Sequence, residues 1–179
     1  MNLIFAVRFF YSMDWYIVYK GKSVRNTLQE NLQQAGVGYF IPSQTMEKYE
    51  GDRMVEHEKP VLNNLVFIQT DDNIFHLART IDGLKSPYLN CSTGRPAVVR
   101  DGEMQRFKQV IAMKNVHARF LPDNIDRFSS CPKVRVRAGE FEGVEGYVFR
   151  IRGDRKLVIA LGDMAVSISG IHHTLLELI

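Results

Sequence analysis

Cysteine is nearly missing from this 179-residue chain, which has only Cys91 and Cys131, far apart and without a CxxC pair. That spacing offers neither a disulfide framework nor a cysteine-based zinc site, and reduced thiols in a cytoplasm are the expectation. A long apolar run is missing too. The start, MNLIFAVRFFYSM, is apolar but broken by Arg8, has no basic leader or small-residue cleavage site, and is too short for a bilayer. Residues 1–14 read as a short extension ahead of the first strand, and no membrane partner is expected. Neither sign of charge dominates: 23 Lys and Arg face 20 Asp and Glu, a formal +3 with a pI near 8.9. The balance holds locally, 13 basic to 12 acidic residues over 1–112 and 7 to 6 over 133–179, so neither part is a basic glove for nucleic acid. There is no internal repeat and no low-complexity tract.

The residues present suit a globular protein. Hydrophobic side chains make up 45% of the chain, enough to core one large domain or two small ones. WYIVYK at 15–20 is aromatic and β-branched and reads as a strand. Ser23 can cap a helix that carries Val24, Leu28, Leu32 and Ala35 on one face and stops at Gly36. YFIP at 39–42 is a second strand. Residues 43–60, SQTMEKYEGDRMVEHEKP, are polar with Gly51-Asp52 at the centre, the pattern of an exposed hairpin tip. VLNNLVFIQ at 61–69 is the next strand. Asp71 or Asp72 caps a short helix bearing Ile74, Phe75, Leu77 and Ala78. Short strands follow around Tyr88-Leu89 and Ala97–Val99, then a helix after Asp101 with Met104, Phe107, Val110 and Ile111 on its buried stripe.

Periodicity fails over 114–132, which holds Pro122 and Pro132, and this stretch reads as a linker. From Lys133 come five short runs of β-formers (VRV, YVFRI, LVIAL, AVSIS, LLEL) separated by glycine-containing turns, the pattern of a small barrel. The expected architecture is therefore an α+β amino-terminal domain, an antiparallel sheet flanked by helices over 15–113. The linker 114–132 leads to a small all-β barrel at 133–179.

Catalytic motifs fail one by one. Gly21-Lys22-Ser23 lacks the upstream glycine of a phosphate loop, since Tyr16 holds that position. In GEFEGVEG the glycines at 139, 143 and 146 are spaced GxxxGxxG, a strand follows, and Glu140, Glu142 and Glu145 repel phosphate. His172-His173 and Glu56-His57-Glu58 lack metal-ligand spacing, and neighbouring histidines on a strand point apart. Cys91 has no nucleophile signature. No catalytic residue, cofactor or metal is expected. An enzyme built on Cys91 or the histidines would need those residues to converge in space.

The ordered set WYIVYKGKS, VRNTLQENLQQAGVGYFIPSQ, KPVLNNLVFIQ and TGRPAVVRDGEMQRF resembles the amino-terminal (NGN) domain of NusG-type transcription elongation factors. The tail VRVRAGEFEGVEGYVFRIRGDRKLVIAL resembles their SH3-like KOW barrel. Within the family the chain is most similar to the UpxY-type paralogues that antiterminate capsular-polysaccharide operons. The resemblance implies a cytoplasmic, monomeric adaptor without catalysis that docks on the clamp helices of RNA polymerase, bridges the DNA cleft and suppresses pausing or termination. It places Val61, Leu62 and Leu65, with Tyr16 and Tyr88 as neighbours, on the polymerase-facing patch. Asn63-Asn64 stands where many relatives have Pro-Gly. The competing reading makes Val61 and Leu65 ordinary core residues of a strand. The charged hairpin tip, with Lys48, Arg53, His57 and Lys59, lies in a region that varies among relatives; one expectation sets it near the nucleic acid of the elongation complex, and the competing reading is a solvated charge run. The resemblance sets Phe141, Val144 and Ile171 on the face offered to a small-subunit ribosomal protein or to Rho. Some paralogues refold this second domain into helices that mask the polymerase site; here glycines and β-branched residues favour the barrel. KOW barrels also occur in ribosomal proteins, so an RNA- or ribosome-binding protein without polymerase contact is the alternative.

Overall fold

The computed structural model describes residues 13–21, 25–62, 64–113, 117–151 and 153–179. The expected cap Ser23, the helix residue Val24, Asn63 and most of the expected extension lie outside them. Strand β1 (Trp15–Lys20) leads through α1 (Arg25–Gln34) to β2 (Gly38–Phe40), the hairpin strands β3 (Ser43–Glu50) and β4 (Arg53–Pro60), and β5 (Leu65–Gln69). Then come α2 (Ile74–Thr80), β6 (Leu84–Pro87), β7 (Val98–Val99) and α3 (Asp101–Ala112). The remainder is β8 (His117–Asn124), β9 (Lys133–Val136), β10 (Glu145–Ile151), β11 (Asp154–Leu161), β12 (Met164–Ser169) and β13 (Leu176–Leu178).

The first sheet runs β2-β5-β1-β6, with β7 on the same edge of β1 as β6, every pair antiparallel. Alternation along β1 splits its side chains between two cores. Trp15 and Ile17, with Tyr19 packed against them, face α3; Tyr16 and Val18 face α1 and α2. Leu28 and Leu32, one helical turn apart on α1, are buried on the second of these faces. On the first, α3 buries Met104, Phe107, Val110 and Ile111, and the rings of Phe40, Phe67 and Phe107 meet at centroid distances of 5.8 to 6.4 Å. The Trp15 indole N–H donates to Asp101 Oδ1 at 2.9 Å, and Lys108 Nζ lies 4.1 Å from the centre of that indole. Together they tie β1 to α3.

The second sheet has six strands, β13-β9-β10-β11-β12-β8, again all antiparallel. Five are the runs expected from Lys133 onward. The sixth, β8, falls inside the stretch read as a linker and corrects that part of the reading. Its backbone pairs with β12 from His117–Ser169 to Asn124–Met164, and Ser167 and Ser169 hydroxyls donate to the carbonyls of Arg119 and His117. HARFLPDN has few β-formers. What makes it a strand is the otherwise open edge of the deeply buried β12. Gly146 of β10 is the tight point of this sheet, because a Cβ there would lie 2.5 Å from the Val158 carbonyl oxygen.

Three local readings also change. β5 begins at Leu65, so Val61 and Leu62 sit in a bend before the strand. The cap of α2 is Asn73, whose Oδ1 accepts from the N–H groups of Phe75 and His76, while Asp71 and Asp72 lie outside the cap. Residues 173–175 form a 3-10 turn rather than a strand, so the rings of His172 and His173 stack at 4.4 Å instead of pointing apart.

Candidate functional site

The charged stretch 43–60 forms a separate two-stranded hairpin, paired residue for residue from Ser43–Pro60 to Glu50–Arg53. Its base is anchored where the Gln44 amide donates to the Ile111 carbonyl at 3.3 Å and Val61 N–H donates to the Pro42 carbonyl at 3.0 Å. Residues directly opposite in an antiparallel pair share a face, so the register sorts the charges. Lys48, Arg53, His57 and Lys59 fall on one face with a single carboxylate, Glu50, whose Oε1 lies 3.1 Å from His57 Nε2. Glu47, Glu56 and Glu58 fall on the other. Sequence reading grouped the three cations by composition; the pairing adds that one face carries them all.

The expected apolar patch divides. Leu62 and Leu65 are 2% and 1% exposed, and Val61 and Tyr88 are half-buried against the same cluster. Tyr16 is not their neighbour, because the alternation of β1 turns it to the α1–α2 side. Tyr19, three residues further along β1 and on its other face, stands beside Tyr88 instead, the rings 5.7 Å apart. Burial pushes both phenols above their ordinary pKa, with Cys91 adding to each and Tyr19 and Asp163 adding to Tyr88. Burial of this kind favours the neutral phenol. The alternation of WYIVYK was the signal that selects Tyr19.

The second sheet closes over this side of the first. Val134, Ile159, Leu161 and Val166 belong to one buried cluster with Leu62, Leu65, Phe107 and Val110. At the seam the Asn90 amide donates to Asp163, and the Tyr88 ring meets Phe120 of β8 edge-on at 6.2 Å. Gly162 sits at φ +59°, where a Cβ would lie 2.5 Å from the Val98 carbonyl oxygen. Phe141 and Val144 lie on this inner side: Phe141 is 8% exposed, and Val144 lines a cleft of about 310 Å³ with Phe107 and Val110. Ile171 packs against the same cluster as Phe141 and Val144 and lines a different cleft.

Cys91 is exposed in the turn after β6, Cys131 is half-buried, and His57 and the stacked pair His172–His173 stand on other elements. Among the described residues no group of three His, Cys, Asp or Glu has the arrangement of a metal site, and no helix is long and apolar enough to cross a membrane. A family model described as NusG, transcription termination factor, matches residues 13–108, just over half of the chain, from the edge of β1 into α3.

Proposed function

The chain belongs to the NusG family of transcription factors, and on that premise we propose that it is an elongation and antitermination factor acting on the clamp helices of RNA polymerase. Factors of this family bind RNA polymerase, act in transcription elongation or termination, and are not enzymes. The observation that carries the finer reading is the charge sorting of the hairpin. A projecting ribbon with Lys48, Arg53, His57 and Lys59 on one face suits a role beside the upstream DNA while the body of the first sheet rests on the clamp.

The mechanism is differential binding. A factor that spans the cleft raises processivity only as far as it binds the closed clamp more tightly than the open one. The hairpin cations add sequence-independent affinity through phosphate contacts, which salt weakens. Docking through Val61, Leu62, Leu65 and Tyr88 carries a condition. Side chains 1–2% exposed touch a partner only after the second sheet withdraws from them. The same withdrawal frees Phe141 and Val144 for a small-subunit ribosomal protein or Rho. The second sheet acts here as an SH3-like KOW barrel, a reading its all-antiparallel strands support. The narrower role, antitermination within a capsular-polysaccharide operon, rests on the resemblance to the UpxY-type paralogues.

Transcription in vitro by purified core polymerase, across pause sites and candidate leader templates, tests the reading. Added protein is expected to shorten pauses and increase read-through, and to co-elute with core polymerase on gel filtration. Absence of any polymerase complex sinks it. Tight, salt-sensitive RNA binding without polymerase transfers the function to the RNA- or ribosome-binding alternative.

A further inference from the structure

The second sheet carries a cleft of about 450 Å³ on the side of β13, separate from the seam with α3. Its floor is aliphatic: Val134, Val148, Leu157 and Leu176, with Ile171 beside them and Leu178, 78% exposed, at the lip. Cross-strand register places Val148 opposite Leu157 and, one step along the same face, Arg150 opposite Arg155. Two like charges directly opposed on a sheet repel. Among the described residues neither arginine has an ion-pair partner.

The reverse face of the same sheet shows the contrast. There Arg135 binds Glu145 Oε1 at 2.7 Å and Lys133 lies 3.5 Å from the other oxygen of that carboxylate. Counter-charge is thus built in on one face and missing on the other. The size of the cleft falls within the roughly 300–1,000 Å³ range of sites that bury a ligand. Its lining also selects the class of occupant. Single-stranded nucleic acid is held by a row of aromatic rings on which successive bases stack, and the only aromatic ring in this lining is the imidazole of His173. The rings on β10, Tyr147 and Phe149, are turned to the reverse face, where Phe149 meets Phe128 edge-on at 5.1 Å.

We propose that this cleft is a docking site for an acidic peptide segment of a protein partner. The segment seats aliphatic side chains against the accessible residues Val148, Leu176 and Leu178 and lays its carboxylates across Arg150 and Arg155. The inference does not depend on polymerase docking, which uses the first sheet and the hairpin.

The test uses the full chain and a fluorescein-labelled synthetic peptide alternating leucine and glutamate, followed by anisotropy. A leucine–lysine peptide and an oligouridine of the same length serve as comparison probes. Saturable binding of the leucine–glutamate peptide is expected, weakened at least about tenfold by R150E with R155E, the scale of one charge-assisted hydrogen bond. The double reversal keeps two like charges opposed at the same register pair, so the melting temperature is expected to stay unchanged, whereas Arg155→Gln removes the repulsion and is expected to melt at the same temperature or higher. Should the double reversal melt lower, Arg155→Gln alone carries the comparison, with a loss of about threefold or more expected. In 15N-labelled protein the peptide is expected to shift the amides of Val148, Leu157 and Leu176. No saturable binding, equal binding of the lysine peptide, tighter binding of the oligouridine, indifference to the arginine variants, or shifts confined to Phe107 and Val110 would each overturn the proposal.

Discussion

Leu65 shows how much a neighbour decides. It is 1% exposed, opens β5 opposite Tyr19, and belongs to the cluster that joins both sheets. Truncation to alanine removes buried methyl groups and leaves a cavity, so Leu65→Ala is expected to cost about 2–5 kcal/mol. Urea titration followed by the fluorescence of Trp15, the only tryptophan and 5% exposed, measures it; a loss below about 1 kcal/mol would show that Leu65 is not packed as described. An aspartate at Leu62 or Leu65 is therefore a poor probe of polymerase docking, because it unfolds the core first. Glu145 offers a pH test at the same scale. The hydrogen bond from Arg135 holds the Glu145 carboxyl below its ordinary pKa; desolvation opposes it, and the charges of Arg135 and Lys133 add to the lowering. A carboxylate depressed in the folded state stabilises above its unfolded pKa, and that contribution fades as pH falls through the folded value. Glu145→Gln is thus expected to melt lower than the parent near neutrality, with the gap closing as the pH falls below the ordinary carboxylate range. A gap constant from neutral to acid pH would assign the effect to shape rather than charge.

Elements were legible where the chain declares its own period. WYIVYK and the five runs after Lys133 became strands, and Met104, Phe107, Val110 and Ile111 became the buried stripe of α3, because alternation and the 3.6-residue period are local properties. β8 was not legible: its strand conformation comes from the edge of β12, some forty residues later in the chain. The α2 cap was misplaced by one or two positions because Asp71, Asp72 and Asn73 are all competent caps, and only the chain's entry angle selects Asn73. Of the candidate site, the hairpin and its cations could be read, whereas their common face required the register. That register makes a prediction for the element as a whole. If Lys48, Arg53 and Lys59 all meet phosphates, replacing the three with alanine is expected to reduce the slope of log affinity against log salt by about 3, near 0.9 per contact on duplex DNA. Stability should change by less than about 0.5 kcal/mol per exposed site. Binding of upstream-fork DNA by the polymerase complex, titrated at several salt concentrations, gives the slope. The matching triple of Glu47, Glu56 and Glu58 to alanine, on the opposite face, should leave it unchanged or steeper, and equal effects of the two triples would remove the distinction between faces.

For the whole molecule the question is how a surface can be both core and docking site. One cluster contains Leu62, Leu65 and Phe107 from the first sheet's side and Ile159, Leu161 and Val166 from the second sheet, so the arrangement described here is closed. Polymerase would select the fraction of molecules in which the two sheets have parted, and its apparent affinity is reduced by that fraction. Weakening the seam without touching the patch should therefore strengthen polymerase binding. Phe120 is the best lever, because its ring meets Tyr88 edge-on at the seam and it belongs to β8 rather than to the expected docking residues. An aromatic pair of this kind is worth about 0.5–1.5 kcal/mol beyond its buried area. With the lost contact area added, Phe120→Ala is expected to raise affinity for core polymerase about three- to tenfold. Gly162→Ala should act in the same direction, since its Cβ would collide with the Val98 carbonyl oxygen at 2.5 Å. A parallel measurement separates opening from unfolding: cleavage by a protease near the seam should rise while the Trp15 urea midpoint shifts little. If both variants bind polymerase no better than the parent while seam cleavage rises, the parted state is not what polymerase selects. Docking would then belong to surfaces already open, the hairpin first among them.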